Sequence, residues 1–326
     1  MISEQNFNNT DNSKFQILAL DGGGIKGLFS AALLAKLEED TKMRVTDHFD
    51  LITGTSTGGI IALGLSIGMR PKEIVEFYKN IGPLIFSFNG NKWIKQWKHI
   101  NGALYESKNL EAALKECFQD KTLGECEKRV VIPAYNLSKD EVYIFKTRHH
   151  KRIRRDPNVQ IWKAAMATSA APTYFSSFNK VDHVRLIDGG IWANNPSLVG
   201  ITEAVNLLDI ELKDIRLLNI GTTAEVTHRN NNLDNGGQWA WKKDALTIAL
   251  RGQSIGAFNQ AQLLIGRDNA YRINPLVPDK VFGLDKLTID ELLALAAHES
   301  RLQAPLLLDK FLTHNAATFK PEPLNI

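Results

Sequence analysis

The chain has little of what would tie it to a metal, a disulfide scaffold or a nucleic acid. Its 326 residues include two cysteines, Cys117 and Cys126, with neither a zinc-type pairing nor a disulfide framework around them. A reducing compartment is therefore the simpler expectation. No His, Cys, Asp or Glu cluster has metal-ligand spacing, so no metal and no cofactor is expected. The net charge is only +3, which excludes the whole-molecule field of an electrostatic nucleic-acid binder; no DNA or RNA partner is expected. There is no internal repeat and no coiled-coil pattern. Residues 1–13 are rich in Asn, Asp, Gln and Ser without periodicity and lack an apolar core segment. They read as disordered rather than as a signal peptide. Residues 51–69 contain no charge at all, about the length of a membrane span. The glycines and hydroxyl residues among them favour a buried strand and helix.

What remains is ordinary for a soluble fold: 44% hydrophobic and 23% charged residues, enough for one large α/β domain or two small ones. Three strand ends attract notice. The first strand, 15–20, runs into Asp21-Gly22-Gly23-Gly24-Ile25-Lys26-Gly27 and then an amphipathic helix over 28–40. A second apolar run (Phe49, Leu51, Ile52) leads into Gly54-Thr55-Ser56-Thr57-Gly58, with a helix-compatible run after it. That is the strand–turn–helix setting of a nucleophile elbow, where a sharp turn presents a serine and demands near-absent side chains two residues either side. A plain Gly/Ser turn is the competing reading. The third, 184–187, delivers Asp188-Gly189-Gly190.

Acyl transfer needs a nucleophile, a proton acceptor and donors for an oxyanion. Ser56 is the candidate nucleophile, Asp188 the candidate acceptor, and the amides of Gly22, Gly23 and Gly24 the candidate donors. A triad would need a histidine after Asp188, and His228, His298 and His314 all lack a strand-end or glycine-framed setting. Gly22-x-Gly24-x-x-Gly27 also satisfies the dinucleotide-binding pattern, with Asp47 or Asp50 as the ribose ligand. Both acids, however, precede the apolar part of the second strand. A nucleotide-binding module is therefore the alternative to a hydrolase.

In order, the 21–27, 54–58 and 188–190 segments resemble the three motifs of patatin-like phospholipases. Ala167-Thr168-Ser169-Ala170-Ala171-Pro172 and Trp192-Ala193-Asn194-Asn195-Pro196 are similar to stretches of that family as well. The resemblance covers residues 15–222, the expected catalytic domain. It implies an α/β three-layer sandwich with a mostly parallel sheet and helices on both faces. It also implies a Ser56/Asp188 dyad that hydrolyses acyl esters of membrane phospholipid without a metal. Gly22, Gly23, Gly24 and Lys26 would form the oxyanion hole, with Gly27, Gly54, Gly58, Gly189 and Gly190 supporting the motifs. Lys26 stands where the family usually has arginine, and it keeps the charge without the planar fork.

Residues 223–326 lie outside the resemblance and read as a helical part packed on the same domain, with helices over 239–262 and 288–313. Short bacterial chains of this family include anti-phage effectors switched on by cyclic nucleotides. That similarity implies a cyclic dinucleotide activator, a cytoplasmic location and peripheral membrane association when active. It leaves the oligomeric state open, homo-oligomer formation on activation being one form. A constitutive lipid esterase is the alternative. Two surface features have two readings each. Phe86, Phe88, Trp93 and Trp97, interleaved with lysines, suit either a bilayer interface or a core face. The run 146–155 carries six positive residues and no acid. Arg148, Lys151, Arg152, Arg154 and Arg155 suit either phosphate capture or a solvated loop. Arg251, Arg267 and Arg272 are a second place for an anionic signal.

Overall fold

In the computed structural model, which describes residues 14–86, 103–226, 229, 231–237, 241, 244–278 and 288–323, the first strand is buried on both faces. Leu18 and Leu20 of β1 (Phe15–Leu20) join one apolar cluster, whereas Ile17 and Ala19 join another. Such a strand requires a helical layer above and below it, the usual condition of a parallel sheet.

The chain continues through α1 (Gly27–Thr41), β2 (Leu51–Gly54), α2 (Thr57–Ser66), α3 (Pro71–Phe86), α4 (Ser107–Phe118), β3 (Arg129–Asn136) and β4 (Glu141–Lys146). It then forms α5 (Ile161–Thr168), β5 (Leu186–Asp188), α6 (Gly190–Ala193), α7 (Ser197–Leu207), β6 (Ile215–Ile220) and β7 (Ala224–Glu225). Last come α8 (Ala245–Ile265), β8 (Ala270–Ile273), β9 (Leu276–Val277) and α9 (Ile289–Lys310). The central sheet has the order β4-β3-β2-β1-β6-β8, with β5 on β3. Strands β1, β2, β3, β6 and β8 are parallel, and β4 and β5 are antiparallel to β3. Residues of α1 to α5 and α9 fill the cluster on one face, and residues of α6 to α8 that on the other. This is the three-layer arrangement expected.

Every residue of α2 is buried, which accounts for the uncharged run at 51–69: a helix apolar all round sits inside the protein. Among the described residues, no helix is long and apolar enough to cross a membrane. The region after residue 222 is mainly helical but also supplies β8, which pairs in parallel with β6. The sheet thus runs past the boundary expected at 222. Ala-Tyr-Arg-Ile is too short for periodicity to mark it as a strand, and its extended state follows from its pairing with β6.

The strand order reverses at β1, which has β2 on one side and β6 on the other. Loops leaving the carboxyl ends of strands on either side of such a point open a crevice, and ligands bind there in open α/β sheets. The loops after β1 and β2 leave from this edge.

Candidate active site

Ser56 sits between β2 and α2 with φ 55° and ψ −122°, a conformation that a residue with a side chain adopts only where its surroundings enforce it. Here they do. A Cβ on Gly54 would lie 2.1 Å from the Gly58 carbonyl oxygen, and one on Gly58 would lie 2.3 Å from that of Leu20. The Ser56 N–H donates to Thr168 Oγ1 at 3.0 Å, and that hydroxyl donates to the Pro133 carbonyl at 2.6 Å. On the other side, the Thr55 hydroxyl donates to the Ala193 carbonyl at 2.6 Å. The turn is clamped by neighbours from β3, α5 and α6.

Asp188 reaches Ser56 through the register of β3. Strand β2 runs along β3 until Thr53 pairs with Val131, while β5 runs the opposite way until Asp188 pairs with Ala134. The carboxyl ends of the two strands therefore converge on the same few residues of β3. The Asp188 carboxylate accepts a hydrogen bond from the Gly190 N–H at 2.7 Å, and the Ser56 side chain lies beside it. Asp188 is 5% exposed. Burial pushes its pKa up to about 6, Ser56 and Gly190 opposing. Neither partner is charged, so the loss of water around the carboxylate is offset only in part. Gly189 lies so close to β3 that a Cβ there would meet the Pro133 carbonyl oxygen at 2.3 Å.

The glycine loop after β1 corrects one expectation. The Gly22 N–H donates to the Asn194 carbonyl at 2.9 Å, so this amide is engaged and is not a free donor. The N–H groups of Gly23 and Gly24 have no acceptor among the described residues. Gly24 has a φ of 60°, and a Cβ on Gly23 would collide with Thr222 Oγ1 at 2.0 Å. Gly27 abuts Thr57 in the same way. Lys26 is half-buried; burial lowers its pKa below the ordinary lysine value, with Glu225 opposing.

Ser56, Asp188 and the loop line one cavity of about 710 Å³. Its inner wall is Ile60, Tyr78, Ile81, Ile85, Leu110 and Phe175, from α2, α3, α4 and the segment after α5. Lys26, Glu225, Arg229, Arg251 and Arg272 supply charge elsewhere in the lining. Ile191, Leu246, Ile255 and Leu276 belong to the lining and are also exposed to solvent, which makes an apolar rim.

The basic run does not act as one surface. Arg148 is buried, with Nη2 donating to the Pro323 carbonyl at 2.8 Å. Lys146 pairs with Glu203 of α7 at 2.6 Å. Arg148 is thus a packing residue of the β4 end, neither the phosphate contact nor the solvated side chain of the two readings. Lys151, Arg152, Arg154 and Arg155 are exposed, and none lines the cavity. Phe86 is the last residue of α3; Phe88, Trp93 and Trp97 lie outside the described residues.

Asp47 and Asp50 fall at the start of β2, a strand's length from the glycine loop. Asp50 Oδ2 accepts from the Gln16 N–H at 2.9 Å and bonds His314 Nε2 at 2.8 Å. Neither acid can serve a nucleotide ribose bound at the 22–27 loop, and His314 is held at the opposite sheet edge. His298 lies within α9, and His228 is outside the described residues.

The family model described as patatin-like phospholipase matches residues 18–200. The chain belongs to the patatin-like phospholipase family. Several relatives carry the name cGAMP-activated phospholipase. The one from Vibrio cholerae is 36% identical over 232 residues, which is 65% of this chain and 65% of its own, just under two thirds of its length. The one from Pseudomonas aeruginosa is 32% identical over 282 residues, 84% of each chain. Patatin-like protein 4 of Arabidopsis thaliana is 35% identical over 57% of this chain and 51% of its own. Among solved structures, VipD from Legionella pneumophila superposes with a TM-score of 0.50 at 15% identity, over 92% of this chain and 67% of that one. This likeness is one of fold.

The patatin-like match ends at residue 200, yet Thr222, Ser254 and Arg272 also line the cavity. Sequence reasoning did not single out Thr168, Asn194 or Ser254. Thr168 and Asn194 stand inside stretches similar to the family and were within reach. Ser254 carries no local signal, because its partner Asp21 is 233 residues away.

Proposed function

We propose that this chain is a phospholipid acyl hydrolase in which Ser56 is the nucleophile and Asp188 the proton acceptor. The observation that carries the reading is the placement of the Ser56 side chain beside the Asp188 carboxylate in a large cavity with an apolar inner wall, next to two amides without acceptors. Asp188 takes the hydroxyl proton as Ser56 Oγ attacks the ester carbonyl. The resulting oxyanion faces the Gly23 and Gly24 N–H groups, donors worth about 10²–10³ each in a comparable hydrolase. The tetrahedral intermediate collapses, and the lysolipid alkoxide leaves with the proton from Asp188. Asp188 then deprotonates a water, which attacks the acyl-serine; the fatty acid leaves and Ser56 recovers its proton.

A pKa near 6 suits this shuttle: the carboxylate is ionised at neutral pH yet holds a proton better than an aspartate in water. The inner wall accommodates an acyl chain. The exposed rim of Ile191, Leu246, Ile255 and Leu276 favours uptake of lipid from a bilayer, with the protein bound peripherally. The nucleotide-binding alternative lacks its ribose ligand at the loop edge, as described above.

Control by a cyclic dinucleotide is part of the proposal. It is supported by the names of the relatives, above all the Pseudomonas aeruginosa protein aligned over 84% of both chains. A hundredfold preference of the activator for the active state corresponds to about 2.7 kcal/mol. The test is hydrolysis of phospholipid vesicles with and without cyclic di- and trinucleotides, with a fluorophosphonate probe to report Ser56. Labelling at Ser56 and nucleotide-dependent release of fatty acid are expected. Full activity unchanged by any nucleotide would leave a constitutive lipid esterase.

A further inference from the structure

The loop that carries Gly23 and Gly24 begins at Asp21, and Asp21 is held from the far end of the chain. Its carboxylate is buried and accepts three hydrogen bonds. Asn219 Nδ2 donates to Oδ1 at 2.7 Å, while Ser254 Oγ and Arg272 Nη2 donate to Oδ2 at 2.9 and 2.7 Å. Arg272 Nη1 also donates to Asn219 Oδ1, and Nη2 reaches Ser254 Oγ at 3.2 Å. The same cluster grips the loop that follows Asp188. Asn195 Nδ2 donates to Asn219 Oδ1 at 3.1 Å and to the Ser254 carbonyl at 3.2 Å, and the Asn195 N–H donates to Gln253 Oε1 at 2.9 Å. Next to it, the Asn194 carbonyl accepts the Gly22 N–H.

We propose that Arg272 and Ser254 are positioning residues for ester hydrolysis, joining α8 and β8 to both active-site loops so that the Gly23 and Gly24 amides face the reacting carbonyl. This rests on the acyl-hydrolase reading. Neither residue lies in the segment that matches the family model. The physical reason is stiffness. Amide donors act only when they stand about 2.7–3.1 Å from the oxyanion, and a loop of three glycines has no side chains of its own to fix that aim. A buried, charge-assisted carboxylate–guanidinium contact two residues upstream supplies a rigid anchor. The planar fork serves Asp21 and Asn219 at once, and a lysine ammonium in its place cannot reproduce both bonds in plane.

The experiment compares the full-length parent, Arg272→Ala, Arg272→Lys and Ser254→Ala on a soluble short-chain ester with cGAMP present. Rates are expressed per serine titrated to completion by a fluorophosphonate. For Arg272→Ala we expect kcat to fall on the order of 100-fold, the cost of a misplacement of about 1 Å, with KM nearly unchanged. Ser254→Ala and Arg272→Lys should give intermediate losses of kcat, and affinity for a tetrahedral phosphonate should fall in parallel. A purely structural role would lower melting temperature and the titratable fraction but leave kcat per titrated serine at the parent value. That result in Ser254→Ala and Arg272→Lys would overturn the proposal even if Arg272→Ala failed to fold. A parent that neither hydrolyses ester nor labels at Ser56 would overturn the hydrolase reading and this one with it.

Discussion

Two buried carboxylates in this protein are handled in opposite ways. Glu203 of α7 accepts from Lys146 Nζ at 2.6 Å and His149 Nε2 at 2.7 Å. Burial pushes its pKa up, but the hydrogen bonds from His149 and Lys146 more than offset this and hold it below the ordinary carboxylate range. His149 is itself kept below the ordinary histidine value by burial, Glu203 opposing. A neutral ring that donates from Nε2 and accepts the Thr147 hydroxyl at Nδ1 fits this geometry. Asp188 is as deeply buried but has only a hydroxyl and an amide for partners, and its pKa rises to about 6. Burial alone therefore does not decide what a carboxylate does. A cation beside Glu203 makes it a fastener between β4 and α7, and the lack of a charged partner leaves Asp188 with the raised proton affinity that its proposed role requires.

The sharpest way to break this contrast is to neutralise both acids. Asp188→Asn and Ser56→Ala should each lower kcat by roughly 10³-fold or more, with the fold retained, because members of one catalytic unit fail together. Glu203→Gln should leave kcat per folded molecule unchanged and lower stability by about 3 kcal/mol, since Lys146 then faces no charge. Steady-state rates with parallel denaturant melts check both. Equal activity losses in the two variants would erase the distinction.

Titration sharpens it further. If ionised Asp188 is the acceptor, kcat/KM should rise with pH through about 6 and level off above it. The stability effects have opposite signs. The folded pKa of Asp188 lies above its unfolded value, so the native state holds the proton more tightly. Its ionisation costs stability, on the order of 3 kcal/mol at most, fully above about pH 6 and not below about pH 4. Glu203 and His149 have folded values below their unfolded ones. Their contributions are present above the unfolded values, about 4.3 and 6.5, and are lost as pH falls through the folded values. Asp188→Asn should therefore raise Tm at pH 8 relative to pH 4, whereas Glu203→Gln should lower it most at pH 8.

The smallest effect concerns the clamp on the elbow. Thr168→Val keeps the shape but removes the hydroxyl that bonds the Ser56 N–H and the Pro133 carbonyl. About 1 kcal/mol of neutral hydrogen bonding corresponds to a loss of kcat of roughly fivefold, measurable on a soluble ester.

How much of this was legible in the sequence depended on whether a residue's constraint was local. Gly54 and Gly58 follow from the turn they flank, and β1, α1, β2 and α2 were readable from apolar runs and glycine loops. That Ser56 and Asp188 meet was suggested by family-like motifs, but the reason is the head-on approach of β2 and β5 along β3, which no spacing encodes. The engagement of the Gly22 amide depends on a carbonyl of Asn194, and the anchoring of Asp21 on Arg272; both partners are far away in the chain. The basic run was misleading at Arg148 because a charge pattern does not reveal which side chain turns inward. Strand β8 escaped because four residues with an arginine among them carry no strand signature.

The central claim is most directly tested by product analysis. Purified protein, parent and Ser56→Ala, would be incubated with phosphatidylethanolamine–phosphatidylglycerol vesicles with and without cGAMP. Mass spectrometry would then follow both the lipids and the peptide containing Ser56 after fluorophosphonate treatment. The account predicts free fatty acid and lysophospholipid from the parent, none from Ser56→Ala, and a covalent adduct on Ser56. Ester cleavage at the parent rate by Ser56→Ala, or a parent that leaves every phospholipid intact, would contradict it.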